Sequence, residues 1–347
     1  MMRRVTTAAA SVVIAAVLLA GCSAAGADGG AGAGTTTRAA TGEGVEGYVE
    51  PGDGAVERVR TAVARGATVI GVDGASLSDD GSHLLEPPEG LDDLVDAAAD
   101  AGAATEVLFS NYSPTLGDFS PEAATALLSS TADRGHLVEQ LVDLAADLGT
   151  DGVQIDLESM RDQDRDGLVA FARELRAAVQ DRLGDDAEVS IAMMASTDRD
   201  GYRERGYDLG PLAAHLDRVV LMTYDQHGPW SGPGPIGALP WTRKAVLAAI
   251  DGGIPAERID VGVAGYGYAW GDGADASPVP AATAARLAGD HATWSDRTGE
   301  WSATLDDGRR LHWSDARSYA VRRDLARGLG VHGVALWSLG LSPLPDA

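Results

Sequence analysis

The sequence predicts an α/β fold, a closed (β/α)8 barrel (TIM barrel) with a small insertion before the last strand. From Val45 onward, eight segments typical of β-strands alternate with amphipathic helical segments, which indicates a parallel sheet. Eight such units, in roughly 300 residues, suit a closed barrel. The competing open, doubly wound sheet calls for a glycine-rich phosphate loop after an early strand, and the sequence has none.

The candidate strands are short apolar and β-branched runs, and the candidate helices repeat apolar residues at helical spacing. The strands are expected at 47–50, 68–72, 106–110, 152–158, 189–194, 219–224, 259–265 and 333–339. The clearest helices are expected at 91–101, 136–148, 168–183, 241–250 and 316–329. The barrel domain is therefore expected to cover 45–347.

The first residues are expected to be a leader, with Arg3 and Arg4 before a short apolar run. Residues 1–21 are interpreted as a lipoprotein signal peptide, because Leu19-Ala20-Gly21-Cys22 matches the bacterial lipoprotein signal. Cys22 would then carry the lipid and anchor the exported protein to the outer face of the bacterial cell membrane. Residues 22–44 are rich in Ala, Gly and Thr and are expected to be a flexible tether.

Composition narrows the classes of partner. The formal net charge is -25 and Lys244 is the single lysine, which disfavours nucleic acid. Cys22 is the single cysteine, so no internal disulfide is expected. The seven histidines show no metal-ligand spacing, and we expect neither a metal nor a cofactor. We expect a monomer.

An insertion is expected at about 272–330. About sixty residues separate Trp270 from Val331, more than one strand-to-helix connection needs. This stretch contains Trp294, Trp301 and Trp313 with turn residues between them. It is expected to form a small β-rich unit that could wall one side of a cleft.

The segment 151–158 is the most informative part of the sequence. Val153, Ile155 and Leu157 alternate with polar residues, so Gln154, Asp156 and Glu158 share the opposite face. In a strand covered on both faces, these polar groups would point into a crowded interior. Such burial is costly unless the groups do chemistry or bind a ligand.

Polar and aromatic residues also stand at the ends of the other candidate strands. Catalytic groups of a parallel barrel lie at the carboxyl ends of its strands. Aromatic faces together with carboxyl groups suit a sugar site. The residues at these ends include Glu50, Asn111, Asp156, Glu158, Met193, Met194, Tyr224, Asp225, Tyr266, Tyr268 and Trp337.

Several of these stretches resemble glycoside hydrolase family 18. The spacing Asp151…Asp156-Leu157-Glu158 is similar to that family's acidic motif, and Met222-Thr223-Tyr224-Asp225 and Leu336-Trp337 are similar to two further markers. The resemblance covers roughly Val45 to the C-terminus. It narrows to the spore-germination, cortex-lytic branch through the stretches at 47–49, 69–74, 239–241, 265–270 and 335–340.

The resemblance implies a retaining hydrolysis of β-linked N-acetylglucosamine (GlcNAc) polymers in which the substrate's own acetamido group is the nucleophile. Glu158 would be the general acid and base, Asp156 would stabilise the intermediate, and Tyr224 would align the acetamido oxygen. The resemblance and the strand-end positions together make Gln154, Asp225, Trp337, Tyr266, Met222 and Asn111 the candidate substrate-binding residues.

One residue departs from the commonest pattern. Gln154 stands where many chitinases of the family have an aspartate, and an amide cannot share a proton with Asp156. Three hypotheses therefore stay open: an anchored N-acetylglucosaminidase acting on peptidoglycan, which we favour, a non-catalytic glycan-binding lipoprotein, and a chitinase.

Overall fold

A computed structural model describes residues 42–271 and 276–346, and this part of the chain contains fifteen strands. Each of the eight barrel strands overlaps an expected segment, with ends that are shifted by a few residues. In chain order the strands are β1 Gly44–Val49, β2 Val69–Ser76, β3 Ala104–Ser110, β4 Tyr112–Ser113, β5 Asp118–Phe119, β6 Gly152–Asp156, β7 Glu188–Met194, β8 Arg218–Met222, β9 Ile259–Ala264, β10 Tyr266–Trp270, β11 Ala276–Pro280, β12 Thr293–Ser295, β13 Glu300–Thr304, β14 Arg310–Trp313 and β15 Gly333–Trp337.

Capping side chains mark the start of several α-helices of the described residues. Ser120 accepts from the Ala123 N–H before a helix that starts with Pro121, and Asp315 accepts from the Arg317 and Ser318 N–H groups before the last helix. The helices are α1 Ala55–Ala64, α2 Leu91–Ala101, α3 Pro121–Ser129, α4 Thr131–Leu148, α5 Arg165–Leu183, α6 Arg199–Glu204, α7 Leu209–Ala213, α8 Leu239–Asp251, α9 Ala281–Ala288 and α10 Ala316–Leu329.

Eight of the strands close into a parallel barrel in the order β1-β15-β9-β8-β7-β6-β3-β2. This confirms the expected (β/α)8 fold. The main hydrophobic core lies between the strands and the surrounding helices. Phe109 of β3 and Phe171 of α5, for example, are both fully buried and their rings are 5.9 Å apart. Outward strand positions supply this core, and the inward positions carry polar groups together with a small apolar cluster of Tyr48, Leu108, Val220 and Ala335.

A buried ionic network fills the bottom of the barrel, at the amino ends of the strands. Arg218 Nη2 lies 2.7 Å from Glu106 Oε1, and Arg218 Nη1 lies 3.5 Å from Glu46 Oε2. Asp260 Oδ1 is 2.8 Å from His332 Nδ1 in the same region. Burial raises the pKa of Glu46 to about 8 in spite of the arginine. These groups close the bottom face, so the opposite face is the one available for a site.

The insertion is a five-stranded antiparallel sheet with the order β11-β10-β14-β13-β12. The sheet begins at Tyr266 and ends at Trp313, whereas the sequence predicts an insertion at about 272–330. The helix α10, which follows the sheet, packs on barrel strands β9 and β15 and so belongs to the barrel. Glu300 of β13 ties the sheet to the barrel. Its carboxylate accepts from the Ile236 and Gly237 N–H groups at 2.8 Å and pairs with Arg322 of α10 at 2.7 Å.

The expected signal peptide, Cys22 and most of the tether fall outside the described residues. Val45, the expected first residue of the barrel, lies in β1, which starts one residue earlier. Within 42–271 and 276–346, none of the helices combines the length and apolar character needed to span a bilayer.

Candidate active site

Strand β6 and the loop after it position the two central carboxyl groups. Val153 and Ile155 are fully buried in the outer core, so the alternating residues point into the barrel. Asp156 is the last residue of β6, and Glu158 lies two residues beyond, on the loop rather than on the longer strand expected from the sequence. The two residues are only 6% and 7% exposed, respectively. Both carboxyl groups are therefore nearly withdrawn from solvent at the carboxyl end of the barrel.

Asn111, just after β3, forms hydrogen bonds with both the N–H and the carbonyl of Glu158. Its Oδ1 accepts from the Glu158 N–H at 2.8 Å, and its Nδ2 donates to the Glu158 carbonyl at 3.0 Å. The same Nδ2 donates to the Ser120 carbonyl at 2.9 Å. The amide expected to contact substrate is thus engaged with main chain, and its geometry supports a positioning role for Asn111.

The surroundings of Asp156 favour its protonated form. Burial, and next the negative charge of Asp73, raise the pKa of Asp156 to about 8. Its Oδ1 is buried and has no hydrogen-bond partner among the described residues. Asp156 therefore keeps a proton at neutral pH and has one oxygen without a partner. That oxygen is available for a hydrogen bond to a polar group of a ligand.

Tyr224 lies two residues beyond the carboxyl end of β8. The Thr223 hydroxyl donates to the Gly262 carbonyl at 2.7 Å and fixes this turn to β9. Gly262 leaves room for the ring, since a Cβ there would lie 2.9 Å from Tyr224 Cε1. Burial and then the negative charges of Asp156 and Glu158 raise the pKa of Tyr224 well above 10. Its hydroxyl therefore stays protonated and can act as a hydrogen-bond donor.

Asp225 accepts hydrogen bonds from two tyrosine hydroxyls of the inserted sheet. Its Oδ1 accepts from the Tyr266 hydroxyl at 2.7 Å and from the Tyr268 hydroxyl at 3.0 Å. Asp225 has a φ of 57°, a left-handed conformation that is uncommon outside glycine. Burial raises the pKa of Asp225 to about 6, and the two hydrogen bonds oppose that rise. The sequence placed both tyrosines at the end of a barrel strand, whereas they lie on β10 of the separate sheet.

Trp337 ends β15 and is half-buried. Its ring lies 5.3 Å from the ring of Tyr48 on β1, with an angle of 53° between the planes. The Trp337–Ser338 peptide bond is cis. Met222, at the end of β8, is 9% exposed. The indole thus supplies an aromatic surface at the same end of the barrel as the carboxyl groups.

Gln154 lies one layer below Asp156 on β6 and is fully buried. Its Oε1 accepts from the Tyr48 hydroxyl at 2.7 Å, and its Nε2 lies 3.2 Å from Glu46 Oε1, 3.0 Å from Glu106 Oε2 and 2.9 Å from Ser190 Oγ. A direct contact between Gln154 and a substrate, as expected from the sequence, would require this network to break. Gln154 instead links the site to the ionic network at the bottom of the barrel.

Two further carboxyl groups lie near the site: Asp73, which the sequence does not single out, and Glu50, which it indicates only as a strand-end residue. Asp73 of β2 is half-buried, and burial and then Glu50 raise its pKa to about 7. Glu50 follows β1, and burial raises its pKa as well. Alternation along β2 could have revealed Asp73, because the apolar Ile70 and Val72 must face the helices.

Comparison with known proteins identifies the family of the chain and its fold. The model of Glycosyl hydrolases family 18 matches residues 107–341. The putative sporulation-specific glycosylase YdhD of Bacillus subtilis is 30% identical over 245 residues, which cover 67% of this chain and 57% of that protein. The cortical fragment-lytic enzyme of Bacillus subtilis is 30% identical over 242 residues, which cover 65% and 54%. The chain spans about half the length of these curated relatives.

Solved structures share the fold. The spore cortex-lytic enzyme SleL of Bacillus cereus superposes with a TM-score of 0.77 and 20% identity, over 89% of this chain and 73% of that one. A chitinase of Chromobacterium violaceum superposes with a TM-score of 0.76 and 23% identity, over 86% and 95%. The family match covers both central carboxyl groups, Tyr224 and Trp337. The chain belongs to the glycosyl hydrolases of family 18.

Proposed function

We propose that this protein is a retaining glycosidase that cleaves β-linked GlcNAc polymers, with peptidoglycan as the favoured substrate. The observation that carries the proposal is the convergence of Asp156, Glu158 and the Tyr224 hydroxyl at the carboxyl end of the barrel. All three belong to the stretch that matches the family. The names of the cortex-lytic and sporulation-specific relatives support peptidoglycan over other GlcNAc polymers.

In the proposed first step, Glu158 gives its proton to the glycosidic oxygen as the bond from that oxygen to the anomeric carbon breaks. The acetamido carbonyl oxygen of the same sugar attacks the anomeric carbon and forms a cyclic oxazolinium ion. The Tyr224 hydroxyl donates to this oxygen and aligns it. Asp156 accepts from the acetamido N–H and stabilises the positive charge of the ring.

In the second step, Glu158 takes a proton from water, and the water oxygen attacks the anomeric carbon and reopens the oxazolinium ring. Two inversions at the same carbon leave its configuration unchanged. No protein carboxylate forms a covalent bond to the sugar. The reaction therefore needs a 2-acetamido group on the sugar whose bond is cleaved.

The remaining residues of the site are proposed to bind the sugar. The half-buried indole of Trp337 would stack on the ring, as aromatic side chains commonly do with apolar sugar faces. Asp225, held by Tyr266, would accept from a sugar hydroxyl. Met222 would line the pocket beside them.

The test is product analysis by mass spectrometry after incubation with purified peptidoglycan and, separately, with chitin oligomers. Reducing-end GlcNAc from peptidoglycan is expected from the wild type, and Glu158→Gln should lower turnover by about 10²–10⁴. Exposed Glu57→Gln on α1 is the matched control and should keep full activity. Chitobiose from chitin alone would shift the substrate to chitin. Binding without product from either glycan, or full activity in Glu158→Gln, would contradict the proposal.

We also propose that Cys22 carries a lipid that anchors the protein to the outer face of the bacterial cell membrane. The support is the sequence Leu19-Ala20-Gly21-Cys22 after a short apolar run. Metabolic labelling with a fatty-acid probe should mark the wild type and fail to mark Cys22→Ser. Equal labelling of both would contradict the anchor and would leave the glycosidase proposal unaffected.

A further inference from the structure

We propose that Asp73 is a positioning residue that shares one proton with Asp156, in the role that Gln154 is unable to fill. The inference rests on the proposed function for its catalytic consequence, whereas the proton sharing itself is a property of the free protein. It concerns a residue on a different strand from the acidic motif. Neither the family match, which begins at residue 107, nor the motif includes β2.

The first argument is the direction in which Asp73 points. Ile70 and Val72 are fully buried in the outer core, so they face the helices. Gly71 faces the interior, because a Cβ there would lie 2.5 Å from Tyr48 Cδ1 and 3.0 Å from Glu46 Oε1. With a period of two, Asp73 also faces the interior.

The second argument is the height of Asp73 in the barrel. Strand β3 separates β2 from β6, and Asp73 pairs with Leu108 whereas Asp156 pairs with Ser110, two residues further along β3. In an eight-stranded barrel of shear eight, each strand is staggered by about one residue relative to its neighbour. Because β2 and β6 are two strands apart, the expected stagger between them is two residues, which equals the offset along β3. Asp73 and Asp156 therefore lie at the same height.

Four alternate strands contribute the side chains of one layer in such a barrel. By the strand registers, the layer that contains Asp73 and Asp156 also contains Met222 of β8 and Trp337 of β15. The two carboxyl groups are neighbours in this layer, and the other two members carry no charge. Asp73 thus stands in the same ring of side chains as Asp156 and Trp337.

The third argument is the charge around the pair. Asp73 faces Glu50 from the end of β1 and Asp156 from β6, while Glu158 and the Tyr224 phenol lie at the same end of the barrel. From β3, the inward residues are Leu108 and Ser110. No cation among the described residues acts directly on Asp73 or Asp156, and Arg58 acts on Glu50 instead. Two half-buried or buried carboxyl groups without a cation cannot both ionise at neutral pH without a large cost.

The fourth argument is that Gln154 is unavailable. Its amide is engaged by Tyr48, Glu46, Glu106 and Ser190, none of which is Asp156. The buried Oδ1 of Asp156 has no partner among the described residues, so it has a free site for a shared proton. Burial, and next the negative charge of Asp73, raise the pKa of Asp156, which agrees with one proton on the pair.

The catalytic consequence follows from where that proton sits. When the acetamido N–H binds Asp156, a proton that stays on Asp73 leaves Asp156 as the anion. The negative charge then faces the positive oxazolinium ring as it forms. The like charge of an ionised Asp73 would otherwise hold the proton on Asp156, and a neutral Asp156 would stabilise the positive ring less than the anion does.

The decisive experiment is a carbon NMR titration of the purified protein with ¹³C-carboxyl-labelled aspartate, in the absence of substrate. The Asp156 signal is assigned by its loss in Asp156→Asn. It is expected to titrate near neutral pH in the wild type and about one unit or more lower in Asp73→Asn. Asp73→Ser is a second variant in case the amide perturbs folding. Exposed Asp100→Asn at the end of α2 is the matched control and should leave the titration unchanged.

An unchanged Asp156 titration in both Asp73 variants would overturn the proton sharing, whether or not the protein is active. In a second arm, the acid limb of kcat/KM against pH should move downward by a similar amount in Asp73→Asn, because Asp156 then ionises at lower pH. A structural defect alone would lower kcat without moving that limb. An inactive wild type would contradict the proposed glycosidase, and the NMR result would still decide the proton sharing.

Discussion

Asn111 binds both main-chain polar groups of Glu158. The amide oxygen accepts from its N–H at 2.8 Å and the amide nitrogen donates to its carbonyl at 3.0 Å. The loop after β6 is therefore fixed to the end of β3 at the residue that bears the proposed acid. Ser159, the next residue, has a φ of 57°, so the chain turns sharply directly after this contact. Asn111 therefore positions Glu158 through main-chain hydrogen bonds.

Asn111→Ala is expected to lower kcat by about 10- to 100-fold with little change in KM, because the carboxyl group of Glu158 loses its fixed position. Steady-state kinetics with a soluble GlcNAc oligomer measures both constants. Gln140→Ala is a matched control, since Gln140 also accepts a main-chain hydrogen bond, from Leu84 at 2.9 Å, far from the site. A similar loss of thermal stability in both variants with normal kcat in Asn111→Ala would contradict the positioning role.

Asp156→Asn is expected to stabilise the protein at pH 8 while it removes activity. Folded Asp156 keeps its proton up to a pH of about 8, whereas the unfolded chain releases it near 3.8. The folded state binds more protons between these values, so its contribution to stability falls as the pH rises. The neutral amide avoids that cost, and the free energy of unfolding at pH 8 should rise by about 1 kcal/mol or more.

Denaturant unfolding of Asp156→Asn at pH 5 and pH 8 tests this sign. The gain in unfolding free energy over the wild type should be larger at pH 8 than at pH 5. Exposed Asp100→Asn should show no such difference. A gain that is larger at pH 5 would mean that folding does not raise the pKa of Asp156.

The barrel could be predicted from sequence because most of its strands alternate in a simple way. Ile155 and Val153 lie outward and Asp156 inward, as the period-two pattern indicates. Helix α1, at Ala55–Ala64, is not among the clearest helices expected from the sequence, although Ala55, Val59 and Ala62 form its buried face at helical spacing. Tyr266 and Tyr268 were placed on the seventh barrel strand because the apolar run continues through Gly265 into β10 without a break.

The candidate site was predictable only where its residues follow the acidic strand or match a family motif. Asp156, Glu158, Tyr224 and Trp337 all lie at the carboxyl end of the barrel. Alternation correctly predicts that Gln154 lies on the inward face. It does not distinguish a side chain at the carboxyl end of the barrel from one in the layer below. That distinction depends on the stagger between strands, which no single strand encodes.

Gln154→Glu is expected to destabilise the protein by about 2–4 kcal/mol at pH 8. The change keeps the shape of the side chain but removes the amide that donates to Glu46 and Glu106. It also places a further carboxyl group near Arg218, which already has four carboxyl groups within 4.0 Å, those of Glu46, Glu106, Glu188 and Asp260. The introduced carboxyl group could still donate when it is protonated, so the loss should be smaller at pH 5.

Chemical denaturation of Gln154→Glu at the two pH values measures this effect. The isosteric change Gln163→Glu, on the exposed turn before α5, adds the same charge outside the barrel and should alter stability little. An equal loss at pH 5 and pH 8 would indicate a packing defect instead of charge repulsion.

Tyr266→Phe and Tyr268→Phe are expected to weaken substrate binding more at pH 6 than at pH 8. Each hydroxyl donates to Asp225, and a donor stabilises the ionised carboxylate. Loss of either donor should raise the pKa of Asp225 above its value of about 6, so less of it is ionised at pH 6. KM should rise by about 3- to 10-fold at pH 6 and change less at pH 8.

The effect should be larger for Tyr266→Phe than for Tyr268→Phe, because the Tyr266 hydroxyl lies 2.7 Å from Asp225 Oδ1 and the Tyr268 hydroxyl 3.0 Å. Tyr319→Phe on α10 controls for loss of a buried phenol, and an equal rise in KM at both pH values would show that Asp225 does not titrate in this range.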